Sequence, residues 1–119
     1  MLVRDLHHVS INVTDVERSA QFYVDVLGLA RLARPDFGFA GAWLGVEGGG
    51  RQVHLIQATV PQDLGQHFAF EVDDIDAAVE ALRAAGTTVR GPSPVGDTAA
   101  RQAFLHDPDG NRLELNQPA

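Results

Sequence analysis

Four side chains of the kind that bind transition metals recur in this sequence at matched positions. His8, which begins the segment HVSINVTD, returns as His67 in HFAFEVDD, 59 residues later (67 minus 8). His54 in VHLIQ returns as Glu114 in LELNQ, 60 residues later (114 minus 54). Imidazole and carboxylate groups are ligands of divalent transition metals, and self-similarity at a fixed spacing indicates a structural repeat. The sequence therefore predicts one metal site to which two equivalent halves contribute.

The chemistry of this set narrows the choice of cofactor without settling it. Three imidazoles and one carboxylate suit a divalent metal ion, which could be Zn, Ni, Fe, Mn or Co. His8, His67 and Glu114 alone would form a two-histidine, one-carboxylate set that leaves coordination positions open for a substrate. The alternative is that all four are ordinary solvent-facing strand residues. One histidine would be best explained that way, but four matched positions favour metal binding.

The elements that must position these residues follow from the hydrophobic pattern. Segments 7–13 and 67–72 alternate with the strand period of two, and each leads directly into an amphipathic helix. The helices end at Gly28 and Gly86. The pattern Thr14-Asp15-Val16-Glu17 resembles a capping box and predicts Thr14 as the first helix cap.

Three strand-like segments follow each helix, so each half has the order βαβββ. They are 29–34, 39–46 and 51–58 in the first half and 87–91, 100–105 and 112–117 in the second. The predicted fold is α+β, one domain over residues 1–119. It divides into a first module at 1–59, a linker at 60–66 and a second module at 67–119.

Strand alternation also predicts the face on which the four residues lie. His54 and Glu114 are flanked by aliphatic residues that point to the opposite face, and His8 and His67 begin strands whose apolar residues point to the opposite face. If the helices cover the aliphatic face, then His8, His54, His67 and Glu114 share the other, open face. Pairing of the two halves would bring all four toward one axis.

Composition excludes several classes of function. The 119 residues carry a net charge of −7 and no lysine, and the nine basic residues are scattered arginines, which argues against nucleic acid as a partner. The absence of cysteine excludes disulfides and thiolate chemistry. No apolar run approaches the roughly 20 residues of a membrane span, and the N-terminus lacks a signal-peptide pattern. We therefore expect a cytoplasmic protein with no membrane partner.

Several other residues leave alternatives open. Phe37, Phe39, Trp43 and Phe104 could line a pocket, although aromatic residues on strands more often belong to the core. Arg101 or Gln102 could orient an anionic substrate, with plain solvent exposure the favoured alternative. His7 is expected to pack or cap at a strand start, and His106 to lie at the surface beside a turn.

Three segments together resemble the vicinal oxygen chelate superfamily over nearly the whole chain. They are HVSINVTD at 8–15, FYVDVLGL at 22–29 and FLHDPDGNRLEL at 104–115. This superfamily includes glyoxalase I, methylmalonyl-CoA epimerase, fosfomycin-modifying thiol transferases, extradiol dioxygenases and bleomycin-resistance proteins. The resemblance implies a glyoxalase-like fold, in which βαβββ modules pair edge to edge into a curved mixed sheet.

The resemblance also implies roles for the four residues. The metal positions of the superfamily lie on the first and last strands of each module and match His8, His54, His67 and Glu114. Glyoxalase I-like enzymes carry glutamate where this chain has His54, and epimerases carry glutamine. Glu114 is therefore the only carboxylate left to act as a catalytic base. The implied mechanism is stabilisation of an oxyanion by a metal that two neighbouring substrate oxygens chelate.

Three functions are consistent with these residues and with the resemblance. The favoured one is a metal-dependent lyase or isomerase like glyoxalase I, acting on a small-molecule substrate with adjacent oxygens. The first alternative is a thiol transferase or extradiol-type dioxygenase that uses the same metal site. The second is a metal-free protein that binds an antibiotic or another small molecule, as bleomycin-resistance proteins do. A homodimer is expected from the resemblance, and the modules could pair within one chain or across that dimer.

Overall fold

The chain folds as two compact units with the same order of elements. The computed structural model describes residues 1–119, which divide into unit 1, Met1–Pro61, and unit 2, Gln62–Ala119. The division falls inside the predicted linker. Unit 1 contains β1 His8–Val13, α1 Val16–Gln21 continued by a π-helix Phe22–Val26, β2 Ala30–Leu32, β3 Gly41–Gly45 and β4 Gln52–Gln57. Unit 2 contains β5 His67–Glu71, α2 Ile75–Ala84, β6 Arg90–Pro94, β7 Arg101–His106 and β8 Arg112–Gln117. The predicted α+β class and the repeated βαβββ order are confirmed.

Each unit forms a four-stranded mixed sheet in which the first and last strands are neighbours. The strand order is β1-β4-β3-β2 in unit 1 and β5-β8-β7-β6 in unit 2. The β1–β4 and β5–β8 pairs are parallel, and the remaining pairs are antiparallel. This arrangement matters for the candidate site, because every predicted metal ligand lies on one of the two parallel pairs.

The helices begin at aspartate caps. Asp15 has an extended backbone, and its carboxylate accepts a hydrogen bond from the Arg18 amide, with Oδ1 and N 3.1 Å apart. The prediction that Thr14 caps α1 is therefore wrong by one residue; the Thr14 hydroxyl accepts from the Arg18 guanidinium instead. Asp74 caps α2 in the same way as Asp15 caps α1. Aspartate and threonine are both good caps, so the sequence alone did not separate the two neighbours.

One strand is displaced from its predicted position. The predicted segment 87–91 is observed as β6, Arg90–Pro94, whereas the other strands agree with prediction to within two residues at each end. Gly91 has a φ of +104°, and the register with β7 shifts between Arg90 and Ser93. Proline is tolerated on an edge strand, where no partner needs its missing N–H. The prolines at 92 and 94 are therefore compatible with a strand at this edge of the sheet.

The core of each unit lies between its helix and one face of its sheet. Helix α1 packs against β3 and β4, and α2 packs against β6, β7 and β8. The most deeply buried side chains include Val13, Tyr23, Leu44 and Leu55 in unit 1 and Ile75, Val79, Leu105 and Leu113 in unit 2. No helix of the chain is both long and apolar enough to cross a lipid bilayer.

Candidate metal centre

Unit 2 brings His67 and Glu114 into direct contact. His67 begins β5 and Glu114 lies in the middle of β8, where its partner in the register is Ala69. Because alternate residues of a strand share a face, His67 lies on the same face as Ala69 and reaches Glu114 diagonally. The distance from His67 Nε2 to Glu114 Oε1 is 3.0 Å, and Glu114 is only 8% exposed. The second carboxylate oxygen accepts a hydrogen bond from the Asn116 amide at 3.0 Å.

The other ring nitrogen of His67 indicates that this pair suits a metal ion. His67 Nδ1 lies 2.8 Å from the carbonyl oxygen of Gly65, which can only accept a hydrogen bond, so Nδ1 carries a proton. In the neutral ring, Nε2 then presents a lone pair toward a carboxylate oxygen that also only accepts. A proton or a metal cation must lie between them. Metal-binding histidines commonly show this arrangement, with the distal N–H donated to a carbonyl.

Unit 1 brings His8 and His54 together in a different way. The two rings stack with their centroids 4.0 Å apart and their planes 17° apart. Trp43 stacks on the other face of His54, at 4.4 Å and 8°. The nitrogen lone pairs of stacked rings lie in nearly parallel planes, so the two imidazoles cannot both point at one ion in this orientation. His8 is exposed and can rotate, whereas His54 is 8% exposed and held by Gln52, with Nε2 and Oε1 2.8 Å apart.

The electrostatic surroundings favour a neutral His54. Burial lowers the pKa of His54 below its ordinary value, and the neighbouring His8, His7 and Arg34 lower this pKa further. A neutral imidazole is the form that binds a metal. The environment of His54 is thus suited to a ligand rather than to a charged surface residue.

Two aromatic residues lie beside the predicted ligands rather than in the core. Trp43 is the register partner of His54, and Phe104 is the register partner of Glu114. Phe104 also contacts the His67 ring edge-on, with centroids 5.4 Å apart. Both side chains are half-buried, so the prediction that favoured the core is wrong for them. Their positions follow the repeat, with an offset of 61 residues (104 minus 43), and this was the signal that could have revealed them.

The Arg101 side chain forms an ion pair with a residue of helix α2. Its guanidinium forms two hydrogen bonds with Asp76 in the first turn of α2, at 2.8 and 3.0 Å. These contacts lower the pKa of the Asp76 carboxyl and raise that of Arg101. Neither of the two alternatives weighed for Arg101, orienting a substrate or simple exposure, describes this ion pair.

A cluster around Asp63 was not predicted from the sequence. The Asp63 carboxylate contacts His106 Nε2 at 2.8 Å and the Arg112 guanidinium at 3.0 and 3.2 Å. The His106 hydrogen bond, the Gly65 amide and Arg112 together lower the pKa of Asp63 to about 2. The expectation that His106 lies at the surface is met, since about half of its side chain is exposed, but it contacts the linker in addition.

The four predicted ligands are therefore assembled as two pairs, one in each unit. His8 with His54 and His67 with Glu114 are each in contact. The structure contains no group of three or more His, Cys, Asp or Glu side chains that could hold a metal ion. Each pair by itself has fewer than the three protein ligands that are usual at a catalytic metal.

Comparison with known proteins identifies the family. The model of the Glyoxalase/Bleomycin resistance protein/Dioxygenase superfamily matches residues 5–115. Because the match covers nearly the whole chain, the protein belongs to this superfamily, and the predicted resemblance is confirmed.

Individual relatives differ in what they do. Lactoylglutathione lyase of Haemophilus influenzae is 38% identical over 121 residues, which span 91% of this chain and 88% of the relative. TnmS3, an antibiotic binding protein from Streptomyces sp. CB03234, is 30% identical with a TM-score of 0.86, covering 100% of this chain and 99% of the other. FosX of Listeria monocytogenes, a fosfomycin resistance protein, is 16% identical with a TM-score of 0.83 and coverage of 99% and 96%, and shares the fold alone. Family membership therefore leaves the reaction open.

Proposed function

We propose that this protein is a divalent-metal-dependent lyase or isomerase of the glyoxalase I type. Its substrate would be a small molecule with adjacent oxygens, such as the hemithioacetal of a thiol and a 2-oxoaldehyde. The similarity to a lactoylglutathione lyase over 91% of the chain supports this reaction. The observation that carries the proposal is the His67–Glu114 pair, in which two acceptor atoms 3.0 Å apart need a proton or a metal ion between them.

The proposed ligands are His8, His54, His67 and Glu114. The two pairs would have to face one another, either within a chain or between the chains of a homodimer. Whether the pairs meet within one chain or between two chains, every chain contributes one copy of each of the four ligands. Both arrangements therefore require one ion per chain. Three histidines and one glutamate suit Zn, Ni, Co, Fe or Mn, and the ligand types do not choose among them.

Glu114 is the proposed catalytic base. When bound, the metal would supply Lewis-acid stabilisation of the charge that develops on two adjacent substrate oxygens. The Glu114 carboxylate would take the proton from one substrate carbon and return it to the neighbouring carbon, so that the isomerisation needs no oxidant or reductant. Because His54 stands where a second carboxylate would be expected, Glu114 would perform both transfers. Asn116 holds Oε2 of Glu114 and would keep the carboxylate oriented.

Elemental analysis of protein purified without chelator, followed by assay, tests the proposal. We expect about one divalent ion per chain and turnover of the hemithioacetal of methylglyoxal and glutathione. The His67→Ala variant should lose both. Glu80→Gln, at an exposed position on α2, is the control and should retain both. Stoichiometric metal retained by His67→Ala would exclude the proposed site, and a metal-free wild-type protein would exclude the proposed function.

A metal-free binding protein is the second candidate. The full-length similarity to an antibiotic binding protein supports it, together with an exposed aromatic cluster in unit 1. Phe37 and Phe39 are 51% and 53% exposed, and their rings stack 5.8 Å apart. The Arg34 guanidinium lies over both rings, at 5.0 and 5.2 Å. Tight binding of a planar aromatic compound by metal-free protein, without turnover, would favour this candidate over the enzyme.

The thiol transferase and dioxygenase alternatives would use the same ligands. They are separated from the proposed lyase by substrate alone. Metal-loaded protein should therefore be assayed with an epoxide plus a thiol, and with a catechol plus oxygen, beside the hemithioacetal. Turnover of either of these in place of the hemithioacetal would reassign the reaction while leaving the metal site intact.

A further inference from the structure

The Asp63 carboxylate holds the short loop before β5 against strands β7 and β8. Asp63 receives hydrogen bonds from Arg112 at the start of β8 and contacts His106 at the end of β7. Its side chain is only 26% exposed, against 57% for Asp5 and 68% for Asp76. A carboxylate with two hydrogen-bonding partners on different strands is fixed in both position and orientation.

The same carboxylate fixes the backbone that contacts His67. The Gly65 amide donates to Asp63 Oδ1 at 3.0 Å, and the Gly65 carbonyl accepts from His67 Nδ1 at 2.8 Å. Gly65 has a φ of +107°, which side-chain-bearing residues rarely adopt. A continuous chain of hydrogen bonds thus runs from Arg112 and His106 through Asp63 and Gly65 to the His67 ring.

Unit 1 offers a weaker counterpart of this chain. Asp5 precedes His8 much as Asp63 precedes His67, and it contacts Arg51 at 3.2 and 3.3 Å. Both side chains of that pair are 57% exposed, and the Asp5 carboxylate accepts from the Leu6 amide rather than from a residue that contacts the histidine. His8 Nδ1 faces His7 Nδ1 at 2.9 Å instead of a backbone carbonyl. Unit 1 therefore has no equivalent connection between the aspartate and the histidine ring.

We infer that Asp63 is a positioning residue for His67. By fixing the Gly65 carbonyl against Nδ1, it holds a proton on that nitrogen, so that Nε2 is the nitrogen that points toward Glu114. Asp63 touches neither the substrate nor the ion. It reduces the number of ring orientations that His67 can adopt before binding. Less entropy is therefore lost when the imidazole binds a metal.

The test compares Asp63→Asn with the matched variant Asp5→Asn. The first readout is whether His67 Nδ1 carries a proton in metal-free protein, measured by long-range ¹H–¹⁵N NMR at about pH 8.5. Wild-type protein and Asp5→Asn should show Nδ1–H. Asp63→Asn should show a substantial fraction of His67 rings in which Nδ1 has no proton. Nδ1 that stays fully protonated in Asp63→Asn overturns the inference.

The second readout is the affinity for Ni²⁺ or Zn²⁺ added alone, measured by competition with a chelator. Outer-shell partners of metal-binding histidines are typically worth about 10- to 100-fold in affinity, so we expect Asp63→Asn to bind at least about tenfold more weakly. Asp5→Asn should stay within about twofold of the wild type. Equal losses in both variants would show a general charge effect and overturn the inference.

His106→Asn provides a second variant in case Asp63→Asn does not fold. It removes one Asp63 contact at a half-exposed position, and it should move both readouts in the same direction by a smaller amount. No change in either readout would overturn the inference. The affinity measurement depends on the proposed function, whereas the measurement of Nδ1 does not. A wild-type protein that binds no metal would therefore defeat the proposed function, while the protonation of Nδ1 would still decide the role of Asp63.

Discussion

Units 1 and 2 have the same backbone plan but orient their candidate ligands differently. In both, a histidine at the start of the first strand lies diagonally across from a candidate ligand in the middle of the last strand. In unit 2 the histidine is fixed at both ring nitrogens, by Gly65 and by Glu114. In unit 1 the exposed His8 ring is stacked on His54 and needs to rotate before it can bind. A structural repeat can thus place two pairs of candidate ligands at equivalent positions while orienting only one of the pairs through hydrogen bonds.

The difference has a physical origin in the residues around the ligands. The buried interiors are alike, with a leucine on either side of the central ligand in β8 and a valine and a leucine in β4. The hydrogen-bond partners are not alike, because unit 2 connects an aspartate, a glycine carbonyl and a histidine in sequence. Preorganisation of a ligand reduces the entropy lost on binding. Unit 2 should therefore contribute more to metal affinity than unit 1.

The largest expected effect comes from replacing the first histidine of each unit. His67→Ala removes the candidate ligand that is already oriented at both ring nitrogens, and we expect metal affinity to fall by more than about 100-fold and activity to reach background, since even outer-shell changes cost about 10- to 100-fold. His8→Ala should cost clearly less. Isothermal titration with Ni²⁺ or Zn²⁺ measures both variants. A larger loss in His8→Ala than in His67→Ala would reverse the assignment of the dominant unit.

A second experiment asks which unit holds the base. At saturating metal, Glu114→Gln should lower kcat by about 10²- to 10⁴-fold, the usual contribution of a general base. His54→Gln leaves that base in place and should lower kcat by less than about tenfold under the same conditions. Steady-state kinetics at several metal concentrations separates the loss of metal from the loss of the base. Comparable kcat values for Glu114→Gln and the wild type would remove Glu114 from its catalytic role.

A third experiment asks whether the two interiors are equivalent. Leu55 and Leu115 are 1% and 3% exposed at matched positions of β4 and β8. Each leucine-to-alanine change should lower the free energy of unfolding by about 2–5 kcal/mol, because it leaves a cavity as well as losing burial. Urea denaturation measures both, with Leu64→Ala, at an 80% exposed position, as the control. A loss confined to one of the two variants would show that the units differ in packing as well as in ligand support.

The smallest expected effect is a pH dependence from Asp63. Its pKa is lowered to about 2 from the ordinary 3.8, chiefly by the hydrogen bond with His106. The folded state therefore binds fewer protons than the unfolded state, and this contribution is complete above about pH 4 and lost as the pH falls toward 2. The stability difference between wild type and Asp63→Asn should narrow over that range in urea titrations. A constant difference would be inconsistent with the lowered pKa.

Much of the architecture was predictable from short-range patterns. The period-two segments and the glycines at 28 and 86 located the strands and the ends of the helices, and both glycines have the positive φ that such an end requires. The four candidate ligand positions were identified from the repeat. A strand was predicted at 87–91, but its displacement to Arg90–Pro94 was not, because its irregular pairing depends on an edge position that no local pattern reveals.

The hydrogen bonds from Asp63 through Gly65 to His67 were not predictable for a related reason. Asp63 contacts residues that are 43 and 49 positions away in sequence, and only the folded sheet brings these residues beside the linker. Trp43 and Phe104 were likewise assigned by residue type to the core, although their register partners are the central candidate ligands. Residue type predicted which side chains could bind a metal, and tertiary contacts decide how they are oriented.

The proposed function depends above all on the ligand pairs of the two units binding a single ion together. Plasma mass spectrometry can count the metal in protein purified without chelator, before and after titration with Ni²⁺ or Zn²⁺. We expect the wild type to reach a plateau of about one ion per chain and His67→Ala to fall short of it. Wild-type protein that stays free of metal throughout the titration would refute shared binding by the two pairs.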